Sequence, residues 1–102
     1  MLFVHICAYT PAVKYEWDPA KAALNAAKHG VRFSEAVVAL EDEAAITIED
    51  ADADGEQRFV SIGADDRGRV LVTVFTYRAD SIRLISSRRS SRRERTFYEA
   101  NL

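Results

Sequence analysis

The run Val70-Leu71-Val72-Thr73-Val74-Phe75-Thr76-Tyr77 constrains this chain more than any other stretch. Val70, Val72 and Val74 fall on one face of an extended strand, Leu71 and Phe75 on the other. A strand that is apolar on both faces belongs in the middle of a sheet, with cover on each side. Its neighbours follow the same logic. Ala45 to Glu49, Gln57 to Ile62 and Ser81 to Ser86 read as three further strands. Asp50 to Gly55 is acidic and turn-like, Ala64-Asp65-Asp66-Arg67-Gly68 is a hairpin signal, and Arg78-Ala79-Asp80 is a tight turn. Connections this short predict an antiparallel meander.

Helices frame the meander. Lys14 to Trp17 reads as a short strand, and Asp18-Pro19 as an N-cap followed by proline at the first helical position. Ala20, Ala23, Leu24 and Ala27 then recur at helical spacing as one apolar face, with Lys21, Asn25 and Lys28 on another. Gly30 ends this helix as a C′ residue. Ser34 is the expected cap of a second helix reaching about Leu40, with Phe33 and Val38 spaced as a hydrophobic staple. Ser91-Arg92-Arg93-Glu94 is a capping box that opens a last helix to about Ala100, docked by Phe97 and Tyr98. The fold class is therefore α+β. It has an antiparallel sheet of four to five strands, an N-terminal helix pair on one face and a short C-terminal helix.

The domain is expected to span residues 13–102. Residues 1–12 read as an N-terminal extension, or as the result of a start codon assigned too early. Leu2, Phe3, Val4, Ile6 and Cys7 are apolar there, but the run is too short to span a membrane and has no basic residue before it.

Charge is unevenly spread. Net charge is -2, yet nine acids and no basic residue lie between Glu35 and Glu56, while seven arginines lie between Arg78 and Arg95. A solvated basic helix is the plain reading; a surface for phosphates or an acidic partner is the sharper one. The single cysteine, Cys7, permits no internal disulfide and suits a reducing cytosol. His5 and His29 stand far apart, and no nucleotide-binding glycine loop, nucleophile elbow or zinc spacing is present. The residues alone point to a binder of nucleic acid or another anion, with no metal and no cofactor.

A distributed pattern carries the reading further. Tyr15-Glu16-Trp17-Asp18, Lys21, Asn25, Lys28-His29-Gly30-Val31, Phe33, Ala36, Arg58, Gly63, Ile82-Arg83-Leu84-Ile85-Ser86-Ser87-Arg88, Glu94 and Tyr98 together resemble the BrnT family of toxins. The resemblance covers roughly Lys14 to Glu99. It implies a RelE-like fold and an endoribonuclease that blocks translation; with no metal-ligand cluster in the sequence, cleavage is expected to need no metal, and the lone cysteine suits a cytoplasmic location. It also implies two partners, RNA and a DNA-binding BrnA-like antitoxin, joined as a heterotetramer or alongside a toxin homodimer. A catalytically inactive binding module is the alternative.

Metal-free cleavage of RNA needs a base for the 2′-hydroxyl, cations for the crowded phosphate and an acid for the leaving oxygen. The catalytic candidates are Arg83, Arg88, Arg58 and His29; the candidates for holding RNA are Lys21, Lys28, Arg89 and Arg92. Each also has a plain structural reading. Arg83 and Arg58 can form ion pairs across the sheet, Arg88 at the strand-to-helix junction can simply be solvated, and His29 can answer the open carbonyls of a helix end. Lys21 and Lys28 can be a solvated helix face, Glu94 a cap, and Tyr98 a docking residue.

Overall fold

Asp18 starts the first helix as expected. Its Oδ1 accepts from the Ala20 N–H at 2.8 Å, and Pro19 occupies the first turn. The computed structural model describes residues 13–50 and 55–102, so the proposed extension, residues 1–12, lies outside the described residues. The elements run β1 (Lys14–Glu16), α1 (Pro19–His29), α2 (Phe33–Leu40), β2 (Ile46–Asp50), β3 (Arg58–Ala64), β4 (Val70–Arg78), β5 (Ser81–Arg89) and α3 (Arg92–Glu99).

The five strands form one sheet in the order β1-β5-β4-β3-β2. β2 to β5 make the antiparallel meander read from the short turns, and β4 sits at its centre. The sheet as a whole is mixed, which corrects the antiparallel expectation. β1 pairs parallel with β5, Tyr15 opposite Ile82 and Glu16 opposite Arg83. No hairpin joins these two strands, so no turn dictates their relative direction. An irregularity between Val74 and Phe75 leaves Ile85 of β5 unopposed, a bulge that re-aims the second half of β5.

The helix pair lies on one face of the sheet, and the two helices touch the sheet more than each other. Phe33 and Ala36 of α2 pack on Leu84, and Val31 and Ala39 close over Leu71. Trp17 meets Phe33 edge-on at 5.8 Å. Gly63 lets α2 come close: a Cβ there would stand 2.4 Å from the Ala39 carbonyl oxygen. The glycine of the family pattern thus marks a backbone contact.

Local expectations are corrected on all three helices. On α1 the stripe of Ala20, Ala23, Leu24 and Ala27 faces outward, with Leu24 69% exposed, and the buried residue is Asn25. Alanines at 20, 22, 23, 26 and 27 make several faces of this helix read as apolar, so periodicity did not identify the inner one. α2 is capped at Arg32, not Ser34: the Glu35 carboxylate accepts from the Arg32 N–H at 2.8 Å. Phe33 of the expected staple points into the core while Val38 is exposed. At α3 the capping box forms as read, with Ser91 Oγ accepting from Glu94 N–H and Glu94 Oε1 from Ser91 N–H. Tyr98 is buried there and its hydroxyl reaches Asp42, whereas Phe97 is exposed.

Candidate active site and nucleic-acid interface

The candidate site lies along β5, and its geometry begins at an open edge. β1 covers only Ser81 to Arg83, so among the described residues the edge from Ser86 onward lacks a strand partner. Asn25 of α1 takes that place. Its Nδ2 donates to the Ser87 carbonyl at 2.8 Å and to the Val31 carbonyl at 3.0 Å, while its Oδ1 accepts from the Ser87 N–H at 3.1 Å. One side chain thereby satisfies both backbone groups of Ser87, as a neighbouring strand would.

This bond seats α1 beside β5 and opens a cleft of about 220 Å³ between them, lined by Lys21, Leu24, Asn25, Lys28, His29, Ile85 and Ser86. Three of the candidates, Lys21, Lys28 and His29, therefore converge on one space. Two ammonium groups there can attract a phosphate, and an imidazole offers a ring nitrogen that can accept or donate a proton. His29 sits in the last turn of α1, ended by Gly30 in the left-handed region at φ 68°. Its side chain forms no hydrogen bond among the described residues, so it remains available to the cleft.

A second pocket, about 290 Å³, opens further along the same strand, lined by Arg69, Val70, Arg89, Ser90, Ser91, Arg92 and Arg95. Arg69 is fixed from behind: its Nε donates to Asp65 Oδ2 at 2.8 Å, and its Nη2 lies 3.2 Å from Glu35 Oε2. Burial alone would raise the Asp65 pKa. Hydrogen bonds from the Arg69 backbone, the Arg69 side chain and the Arg67 backbone outweigh burial and hold the carboxyl below its ordinary range. Arg95 pairs with Glu99 at 3.2 Å. Arg89 and Arg92 have no carboxylate partner among the described residues, so they carry the uncompensated charge of this pocket. Sequence reasoning found Arg89 and Arg92 but missed Arg69 and Arg95. The four-residue spacing of Asp65 and Arg69 across the hairpin was the available signal.

The remaining candidates stand apart from both spaces. β5 runs on to Arg89, so Arg88 lies within the strand and not at the junction expected. It is also not simply solvated. Its guanidinium grips Glu94 with both nitrogens, Nη1 to Oε1 at 2.8 Å and Nη2 to Oε2 at 2.9 Å. That fork, more than any other contact, pulls the Glu94 pKa down to about 2. Arg83 Nη1 lies 3.3 Å from Glu16 Oε2 across the parallel pair. Arg58 lies opposite Asp50 in the β2–β3 ladder, and its Nε is buried with no acceptor among the described residues. Among those residues no three His, Cys, Asp or Glu side chains gather as a metal would require, and no helix is long and apolar enough to cross a membrane.

Fold and charge together define the class: a small α+β domain with basic pockets open to solvent along β5. The family is narrower than that class. The sequence model described as "Ribonuclease toxin, BrnT, of type II toxin-antitoxin system" matches residues 17–94, and the chain belongs to that family. No protein of curated function matches it significantly. Its fold is similar to the crystal structure of the ribonuclease toxin BrnT of Brucella abortus, with a TM-score of 0.62 and 24% identity over 79% of this chain and 100% of that one.

Proposed function

We propose that this chain is a metal-independent endoribonuclease that cleaves RNA by attack of the 2′-hydroxyl, blocks translation and is held in check by a BrnA-like antitoxin in the cytoplasm. The observation that carries the reading is the pair of basic spaces served by β5. In this reading His29 moves the proton, Lys21 and Lys28 stabilise the crowded phosphate, and Arg89 and Arg92 hold the RNA backbone beyond it. Arg83 and Arg88 support the strand through Glu16 and Glu94, and Arg58 stands opposite Asp50 on the β2–β3 side, away from both spaces. The RelE-like label fits a single-sheet toxin of this size.

The alternative, an inactive RNA- or protein-binding module, draws on one observation: two arginines first in line for catalysis, Arg83 and Arg88, already have carboxylate partners. One experiment decides. The purified chain is incubated with RNA in excess EDTA and the ends are analysed. Cleavage leaving a 2′,3′-cyclic phosphate is expected. Cleavage only on adding Mg²⁺ or Mn²⁺ overturns the chemistry, and intact RNA under all conditions favours the inactive module. In cells, expression is expected to halt amino-acid incorporation, and a BrnA-like antitoxin to restore it.

A further inference from the structure

The helix-bearing face of the sheet continues past the helices into an aromatic strip. Phe59 of β3 and Phe75 of β4 stand opposite each other with ring centroids 5.7 Å apart. Tyr77 closes the group edge-on, 5.3 Å from Phe59 and 5.7 Å from Phe75. Phe75 is buried, but Tyr77 is 60% exposed, so ring surface is open to solvent. Register extends the row through Ile82 to Tyr15 on β1. A carboxylate stands at each end of the row. Glu41 accepts from the Tyr15 hydroxyl at 3.2 Å, and Glu49 lies directly opposite Phe59 on β2.

Aromatic faces are electron-rich and attract cations, and Glu41 and Glu49 add negative charge at both ends. The same charges disfavour a phosphate backbone, which argues against RNA bases stacking here. The strip is also remote from the basic spaces. Val70 lines the arginine pocket, and Tyr77 is seven residues further along the same strand, about 23 Å at the rise of an extended chain. We propose that this strip docks a cationic segment of a protein partner, an arginine or lysine laid on the Tyr77 and Phe59 rings and charge-compensated by Glu41 and Glu49. The proposal rests on the toxin–antitoxin assignment only for the existence of such a partner.

The test uses the full chain and a hexa-arginine peptide, with hexa-glutamate as the control, followed by NMR. Shifts on titrating hexa-arginine are expected at Phe59, Phe75 and Tyr77. Tyr77→Ala and the double variant Glu41→Gln, Glu49→Gln should each weaken binding about fivefold or more, the scale of a lost cation–π contact or ion pair. Tyr77→Phe keeps the ring and should bind as the parent does, which guards against loss through unfolding. No binding by the parent, shifts at Phe59, Phe75 and Tyr77 of equal size on titrating hexa-glutamate, or unchanged binding by Tyr77→Ala overturns the proposal. So do ring shifts on titrating oligo(U), which would make the strip an RNA platform. RNA cleavage is measured alongside, with Tyr77→Ala expected at the parental rate. A parent that cleaves no RNA defeats the ribonuclease reading while the peptide titration still decides the strip.

Discussion

Asn25 shows how much one polar side chain can organise. It is the buried residue of α1, and it holds three backbone groups that no strand or helix among the described residues satisfies. Replacing it with alanine leaves Ser87 N–H, Ser87 C=O and Val31 C=O to find other partners. Orphaned buried groups cost about 1–3 kcal/mol each, and water entering the space left behind offsets part of that. Asn25→Ala is expected to lower unfolding stability by about 3 kcal/mol in urea titration, and to weaken RNA cleavage because α1 loses its seat on β5. A loss below about 0.5 kcal/mol would show that the edge of β5 does not depend on this side chain. Asn25 belongs to the family pattern, but nothing in its spacing distinguished an inner amide from a solvated one. Its importance became legible only with the open edge of β5.

Glu94 makes the same point for charge. Its spacing from Ser91 marks it as a cap, and the sequence leaves Arg88 as either exposed or catalytic; the fork that joins them is not legible in a six-residue separation across a turn. Because the folded-state pKa of Glu94 lies at about 2, below the ordinary 4.5, the ionised carboxylate contributes stability above pH 4.5 that is lost as pH falls towards 2. The stability gap between the parent and Glu94→Gln is therefore expected to be constant from pH 7 to about 5, to narrow below that, and to close near pH 2. Thermal melts across this range check it. A gap independent of pH would mean that the glutamate acts only through shape.

At the level of elements, most parts set by local chemistry were legible, the start of α2 at Arg32 in place of Ser34 being the exception, and those set by distant packing were not. Asp18-Pro19, Gly30 and the Ser91–Glu94 box mark helix ends through backbone geometry within a few residues, and all act as read. The meander followed from turn length. The direction of β1 and the inner face of α1 depend on contacts more than sixty residues away in sequence, such as Tyr15 with Ile82 and Asn25 with Ser87, which no local pattern encodes. Gly63 lies between these cases, since its role required knowing that α2 crosses above it. A methyl group there meets the Ala39 carbonyl, so Gly63→Ala should force α2 off the sheet and lower stability by about 1–3 kcal/mol, the usual range for overpacking. Chemical denaturation measures this, and an unchanged midpoint would show that α2 shifts freely.

Across the whole molecule the charge is sorted. Acids flank the aromatic strip at one end of β4, and arginines line the pocket at the other, although the net charge of -2 hides this. The candidate site was legible as a list of basic residues and not as places, because Lys21, Lys28 and His29 meet Ile85 and Ser86 only through the fold. Two kinds of contribution can therefore be separated. Arg89 and Arg92 act in the proposed mechanism as RNA-holding charges, so Arg89→Ala and Arg92→Ala should each weaken RNA binding at all sequences alike. Each should also reduce the slope of log affinity against log salt by about 1, with little change in the rate of bound RNA cleavage. His29 and the two lysines act at the reacting phosphate. His29→Ala, Lys21→Ala and Lys28→Ala should leave affinity within a few-fold and reduce the single-turnover rate by about 10²-fold, the scale of one lost proton donor or electrostatic stabiliser. Arg83 and Arg88 are the critical controls. If they serve the strand through Glu16 and Glu94, the Arg→Lys variants, which keep the charge but lose the fork, should lose rate only as far as they lose stability. Folded Arg88→Lys or Arg83→Lys with normal melting and a hundredfold slower rate would move the phosphate off the α1 cleft and onto the β5 arginines. Parental rates in all three α1 variants would do the same from the other side.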